Sequence, residues 1–331
     1  MPDLDSLSIL FIWTAIAIYA AAFVAYAFDL ARRSEVHADA RLVREREAVL
    51  VGAGSAAGAG GDAVASDVPA SDAPAKPRYV MARIGTALTV LGFLFQLAAT
   101  ITRGIAAERV PWANLYEFAM TGTLLVVFVY LVVNTRVDLR FLGTFITGLV
   151  VVLMGAAAIS FYVGVVPLMD PLKSVWLVIH VFVASLGTAF FALACALSVL
   201  QLMQSRRERR IAEALEKPGP RFLGTLPNAE RLEGMAFRFA IVGFIFWTFT
   251  LIAGAIWAQD AWGRYWGFDV KETWTFIIWV LYAGYIHARA TRGWRGNPSA
   301  WLSIVGFTAV IFNFTIVNVF FKGLHAYSGL S

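Results

Sequence analysis

From Phe237 to Trp257 the chain reads Phe-Arg-Phe-Ala-Ile-Val-Gly-Phe-Ile-Phe-Trp-Thr-Phe-Thr-Leu-Ile-Ala-Gly-Ala-Ile-Trp. This run decides the fold class. Its length matches the roughly 20 residues a helix needs to cross a bilayer, and its only charge, Arg238, stands at one end. It does not alternate polar with apolar residues, which excludes a strand of a membrane barrel. Several further apolar runs of about 20 residues occur elsewhere. The chain is therefore an all-α polytopic integral membrane protein.

Beyond Trp257 comes Trp262-Gly-Arg-Tyr-Trp-Gly-Phe-Asp-Val-Lys-Glu-Thr-Trp274, followed by another apolar span. Flanked in this way, residues 257–274 form a loop at a membrane surface. Were the loop partly helical, Trp262 and Trp266 would share a face, with Gly263 and Gly267 beside them. Broad aromatic faces next to residues without side chains suit a flat ligand that must approach the backbone closely. The plainer alternative is an interfacial belt of tryptophans, although belts scatter their aromatics instead of packing them into one short loop.

Composition agrees with the class. The chain has 331 residues, of which 59% are hydrophobic and 15% charged, and its mean hydropathy is +0.70. The 27 Lys and Arg against 22 Asp and Glu give a net charge of +5. These basic residues gather at span ends, where cytoplasmic loops and anionic lipid account for them, so nucleic acid is not a partner. The one cysteine, Cys195, lies inside an apolar span and offers neither an intrachain disulfide nor a Cys-x-x-Cys pair. Any thiol chemistry needs thiols from another molecule.

The basic clusters also set a topology of about eight spans, with both termini and the Trp-rich loop outside a cytoplasmic (inner or plasma) membrane. A first helix within residues 1–33 ends in Arg32-Arg33. Residues 34–80 pass from a charged patch (Arg41 to Glu47) into Gly/Ala-rich and then Pro/Asp/Ser-rich sequence, which reads as a flexible cytoplasmic linker carrying a solvated His37. Residues 81–331 form the membrane core. Asn114 and Glu117 resemble a capping box, as do Asp269 and Glu272. Asp170-Pro171 is placed to start the fifth span and Asn297-Pro298 the eighth, which runs to about Phe321. The cluster Arg206-Arg-Glu-Arg-Arg210 marks the inside.

The topology sorts the remaining histidines. His180 and His325 fall at the outer face, on spans before and after the Trp-rich hairpin, and two neutral imidazoles can fill both axial positions of a haem iron. His287 is nearer the cytoplasm and cannot share that site. It suits either a second cofactor or a hydrogen bond between helices.

Taken together, Trp262-Gly-x-x-Trp266-x-Phe268-Asp269-x-Lys271-Glu272-Thr-Trp274 and Tyr285-Ile-His287-Ala-Arg289 resemble the tryptophan-rich (WWD) haem-handling family. Within it the likeness is greatest to the CcsA/ResC-type subunit (named CcsB in some bacteria) of the System II cytochrome c synthase. Trp176-Leu-Val-Ile-His180, Gly323-Leu-His325 and Asn114-Leu-Tyr-Glu117 extend the likeness over roughly residues 80–331. Two departures stand out: Phe268 where the family usually has a third Trp, and Val270 where Pro is common. Phe keeps the aromatic face and loses an indole N–H donor.

The resemblance implies a mechanism. Haem b, a substrate in transit, lies on the loop formed by Trp262, Gly263, Trp266, Phe268, Asp269 and Trp274. His180 and His325 hold its iron, and His287 ligates haem within the membrane, opposite a histidine of a CcsB/ResB-type partner. Apocytochrome c docks with a reduced Cys-x-x-Cys-His segment whose thiols add to the haem vinyl groups. Proteins of the ResA/CcsX and CcdA types keep those thiols reduced. The synthase role assigned to this subunit is positioning, with no catalytic side chain of its own; Arg264 and Lys271 are placed to pair with haem propionates. Other readings are a haem transporter without ligation chemistry, a structural subunit anchored by its aromatics, or the haem-chaperone or ligase subunit of the other assembly system. No inverted repeat or broken span favours alternating access.

Overall fold

The structure, a computed structural model, describes residues 3–57, 80–165, 173–213, 219–291, 294–321 and 323–324, with residues 33–57 by backbone alone. Among them there is no strand. The helices are α1 (Leu4–Ala57), α2 (Val80–Ala107), α3 (Leu115–Asn134), α4 (Gly143–Ser160), α5 (Val175–Ala212), α6 (Ala229–Trp262), α7 (Val270–Ala290), α8 (Asn297–Phe314) and the short α9 (Ile316–Phe320). Seven stretches are long and apolar enough to cross a membrane: in α1, α2, α3, α4, α5, α6 and α8–α9. Helix α7 completes the eight expected. It falls below that apolarity because its surface is built from Trp, Tyr and Thr, whose tips are polar, with Lys271 and Glu272 at one end and His287 and Arg289 at the other.

Local chemistry sets the helix ends. The Asn114 side chain accepts from Glu117 N at 2.9 Å, and that of Asn228 from Arg231 N at 3.0 Å. Helix α5 opens with Ser174, whose hydroxyl accepts from Trp176 N at 3.2 Å; the Asp170-Pro171 start lies outside the described residues. At α8 the cap is Gly296 (φ 78°), so Asn297 is the first helical residue and not the cap, with Pro298 in the first turn. The eighth span does not run unbroken to Phe321: helix α8 stops at Phe314 and α9 resumes after Thr315. Helix α1 continues to Ala57, well into the stretch whose composition suggests a linker. The Glu/Arg patch and the alanines there are good helix formers. The rest of that stretch, 58–79, lies outside the described residues.

Packing divides the bundle into two sides joined through α3. On one side α1, α2, α3 and α4 close around Ile12, Tyr19, Met120, Val127 and Met154. Interhelical hydrogen bonds reinforce this side: Tyr19 Oη donates to Gln96 Oε1 at 2.7 Å, and Gln96 Nε2 to Thr123 Oγ1 at 2.8 Å. On the other side α5 and α6 run antiparallel against α7 and α8 around Phe191, Trp247, Ile278 and Tyr282. A Cβ at Gly243 would stand 2.7 Å from the Phe191 ring and 3.2 Å from Gly187 O, so this pair of glycines lets α5 and α6 approach closely. That approach matters because the candidate site is built where these two helices end.

Candidate functional site

Four chain ends meet at one end of the bundle: the start of α5, the end of α6, the start of α7 and the segment after α9. Ser174 Oγ donates to Asp260 Oδ2 at 3.4 Å, and Leu324 N donates to Asp269 Oδ1 at 3.1 Å. Between α6 and α7 runs the Trp-rich loop. Gly263, at φ 70°, ends α6 in a left-handed cap. The Glu272 carboxylate then gathers the loop by accepting from Gly267 N (2.8 Å) and Asp269 N (3.2 Å), completing the capping box expected at Asp269.

The two signature tryptophans do not share a face. Because Gly263 breaks the helical register, Trp262 turns inward onto Trp257 (4.8 Å between ring centres, 62°) beside Trp112, Trp176, Leu177 and Val181. Trp266 turns the other way, edge-on to Phe268 at 6.2 Å and Phe276 at 6.3 Å. Phe268 is 81% exposed and holds a positive φ of 57°. Trp274 packs on Phe312 (4.5 Å), fixing α7 against α8.

His180 lies one turn inside this end of the bundle. Its Nδ1 is 2.9 Å from Thr250 O. A carbonyl only accepts, so Nδ1 carries the proton and Nε2 is the lone-pair nitrogen, the tautomer a metal takes. The ring stacks on Trp257 at 5.9 Å and 26°. Gly254 makes the space: a Cβ there would lie 2.8 Å from His180 Nδ1 and Cε1. The imidazole is thus held by a carbonyl, an indole and a missing side chain.

His180 stands in the wall between two cavities. The larger extends into the bundle between α3, α5, α6 and α8 and is lined mostly by apolar side chains. The smaller lies under the loop and is lined by Tyr265, Trp266, Gly254 and Glu272. His180, Thr250, Trp257, Lys271 and Thr275 border both. Lys271, half-buried, donates to Asn318 Oδ1 at 2.5 Å, with its ammonium 6.0 Å above the Phe118 ring. Two further buried amides line the larger cavity, each 5% exposed: Asn114, whose Nδ2 has no hydrogen-bond partner among the described residues, and Asn313, whose Oδ1 has none. Such atoms are costly to leave unpaired, and at a cavity wall they mark a surface that a ligand completes.

The other histidines separate from this group. His287 is on the exposed surface of α7, about 22 Å along the helix from Glu272 at 1.5 Å per residue. His325 lies outside the described residues. So does its expected pairing with His180; its chain neighbour Leu324 is the residue bound to Asp269.

Sequence reasoning missed one cluster at the same end. Arg103, fully buried, donates from Nε to Glu117 Oε1 at 2.9 Å and from Nη2 to Val163 O at 2.7 Å, and its Nη1 pairs with Asp5. Arg109 Nη1 reaches Glu117 Oε2 at 2.6 Å, and Ala113 N donates to the same oxygen at 2.9 Å. Glu117 is therefore the centre of an ion network, not the returning half of a capping box with Asn114. Just outside the span of α4, Tyr162 donates to Asp5 Oδ2 at 2.9 Å, and partial burial with that bond raises its phenol pKa above the ordinary value.

Comparison with known proteins follows this geometry. The family described as "Cytochrome C assembly protein" matches residues 112–325. "Cytochrome c biogenesis protein CcsA" of Heterosigma akashiwo (strain NIES-293 / 8280G21-1) is 32% identical over 249 residues, covering 67% of this chain and 77% of the relative. The protein of the same name from Guillardia theta is 30% identical over 260 residues (75% and 86%), and that of Synechococcus sp. (strain RCC307) 30% over 270 residues (76% and 87%). Among solved structures, "Cytochrome c Heme Lyase CcmF" superposes with a TM-score of 0.61 at 16% identity, over 95% of this chain and 47% of that longer one. At that identity the likeness shows the fold alone.

Proposed function

The chain belongs to the cytochrome c assembly protein family, alongside its CcsA members, and on that premise we propose that it holds and presents haem, as a substrate in transit, for thioether attachment to apocytochrome c. The observation that carries this is the setting of His180: a proton fixed on Nδ1 by Thr250 O, a ring stacked on Trp257, and a place in the wall of both cavities below Trp266. The residues present fit the group. The lone-pair nitrogen is an axial ligand. The cavities offer an apolar, aromatic seat for a porphyrin, and the unpartnered amide atoms of Asn114 and Asn313 offer polar contacts at its margin.

In this reading the protein's residues position and do not react. His180 supplies one axial bond and His325 the other. Trp266 and Tyr265 roof the seat. Each cysteine thiol of the apocytochrome adds across a vinyl C=C: sulfur bonds to one carbon, the thiol proton ends on the other, and no electrons are lost or gained. Holding the vinyl edge before an incoming Cys-x-x-Cys-His segment removes the entropic cost of a bimolecular encounter. In this reading His287, exposed on α7, meets a CcsB/ResB-type partner, and membrane passage of haem is shared between the two subunits. We place the loop on the outer side of the cytoplasmic membrane, where the basic clusters put it.

The test is spectroscopic. The full chain, purified in detergent with its partner, should show low-spin six-coordinate haem. His180→Gly should lose the part of that signature that belongs to the seat under the Trp-rich loop, leaving the His287-dependent part, and added imidazole should restore some of the loss. An unchanged spectrum in the variant would sink the assignment. Ligation requires neutral imidazole, so the signature should persist at high pH and disappear as pH falls through the ligands' apparent pKa.

A further inference from the structure

We infer that Lys271, with the amides of Asn313 and Asn114 lining the same cavity, recognises a propionate carboxylate of the haem inside the bundle, so that the substrate is seated acid-edge inward and its vinyl edge faces the loop. This rests on the site reading above and adds to it the orientation of the substrate. The first observation is placement. Lys271 borders both cavities that His180 separates, so its ammonium lies within the same seat as the axial nitrogen. The second is incomplete pairing. Its only hydrogen-bond partner among the described residues is the neutral Asn318 oxygen, and the Asp269 carboxylate two residues before it acts on it electrostatically without a salt bridge among those residues. A cation hydrogen-bonded only to a neutral amide retains donors for the oxygens of an anion.

The third observation is independent of the lysine. Asn313 and Asn114 line the same cavity with one unpartnered acceptor and one unpartnered donor, each on a side chain only 5% exposed. A carboxylate can accept from the Asn114 amide and from Lys271, and a protonated carboxylic acid can also donate to the Asn313 oxygen. Elsewhere the larger cavity offers apolar wall from α4, α5 and α8, such as Leu149, Leu153 and Val310, suited to the hydrocarbon face of the ring. The propionates of haem lie on the half of the macrocycle away from the vinyl groups. A lysine reached through the seat therefore fixes which edge is left for the incoming thiols.

The experiment compares haemin with haemin dimethyl ester, whose propionates carry no charge, on the full chain in detergent with its partner. Wild-type protein should bind haemin more tightly than the ester by on the order of tenfold, the weight of one charge-assisted hydrogen bond. Lys271→Met should abolish that preference by weakening haemin alone, with the low-spin histidine spectrum of the bound ester retained. Lys271→Arg should restore a preference for haemin. Competition by oleate or phosphatidylglycerol vesicles separates propionate recognition from general capture of acidic amphiphiles: displacement of haemin at comparable concentrations would overturn the inference. The wild-type comparison needs no variant to fold. Equal binding of haemin and ester with an intact histidine signature overturns this inference and leaves the site reading standing. A chain that binds neither takes down both.

Discussion

Two polar clusters sit at the same end of the bundle and teach opposite lessons. Around Glu117, two arginines and a backbone N–H converge on one carboxylate, Arg103 also reaches Asp5 and Val163 O, and four segments of the chain are tied together. Around Lys271, Asn114 and Asn313, in the cavity that His180 borders, the groups are held in place but incompletely paired among the described residues. Both clusters place polar groups where water is scarce, at a cost that only pairing offsets. In the first, both oxygens of the Glu117 carboxylate are paired within the chain, with Arg109 Nε alone of the cluster's guanidinium nitrogens left over, and the cluster is scaffold. The second awaits completion from outside and is a site. Asn114 stands at the seam: its Oδ1 caps α3 next to Glu117, and its Nδ2 belongs to the cavity wall.

If that division is right, its largest consequence is in stability. Glu117→Gln leaves Arg103 and Arg109 without their shared carboxylate, and breaking a buried ion network in this way costs about 3–5 kcal/mol. Thermal unfolding in detergent should show a large loss, while the surviving folded protein keeps its haem spectrum. A variant that unfolds normally but cannot hold haem would put Glu117 in the site and collapse the distinction.

Gly254→Ala asks the reverse question. Alanine in a helix interior favours the helix by about 1 kcal/mol over glycine. Here its Cβ would lie 2.8 Å from the His180 ring, so the imidazole must move off Thr250 O. Stability should hold or rise slightly while haem affinity falls by on the order of tenfold or more. The measurement pairs an unfolding curve with a haem titration. If affinity is unchanged, the fixed position of the His180 ring is not what the site depends on.

How much of this was legible in the sequence follows from the range of the interactions. Spans are one-dimensional, so the run Phe237–Trp257 and its counterparts declare the fold class. Caps are local too, and the Asp269/Glu272 box forms as its spacing predicts. His180 stands out because a histidine within an apolar span is conspicuous. Trp262 and Trp266 do not share a helical face, because one left-handed residue, Gly263, ends α6 between them. The family resemblance set Lys271 beside a propionate but gave it no place in the structure. Only the fold shows it bordering two cavities. Arg103 carried no signal at all, since its partner Asp5 lies 98 residues away and pairing at that separation leaves no periodic mark.

A finer test comes from Asn313. Its one side-chain bond, from Nδ2 to Thr275 Oγ1, is long at 3.3 Å, and its Oδ1 is unpartnered. Replacing a buried, half-satisfied amide with an apolar residue of similar size is nearly neutral, within about 1 kcal/mol, and can stabilise. Asn313→Leu should therefore leave the unfolding temperature close to wild type and weaken haem binding severalfold. A clear loss of stability with unchanged binding would mean that the amide serves the scaffold, as Glu117 does.

Phe268 gives the smallest effect and the sharpest sign. A non-glycine residue at φ 57° carries strain of about 1–2 kcal/mol. Glycine would relieve it and return about 0.5–1 kcal/mol in unfolded-chain entropy. With the ring 81% exposed and only edge-on to Trp266 at 6.2 Å, little burial is lost. Phe268→Gly should therefore be slightly more stable, by a fraction of 1 kcal/mol net. If the exposed ring serves the substrate, the same variant should bind haem less well; Phe268→Trp, which keeps the strain and the aromatic face, should not. A glycine variant that is more stable and equally able to bind would make the strain an accident of the turn. One that gains stability and loses haem would mean that the loop tolerates a strained backbone to keep an aromatic ring at the mouth of the seat.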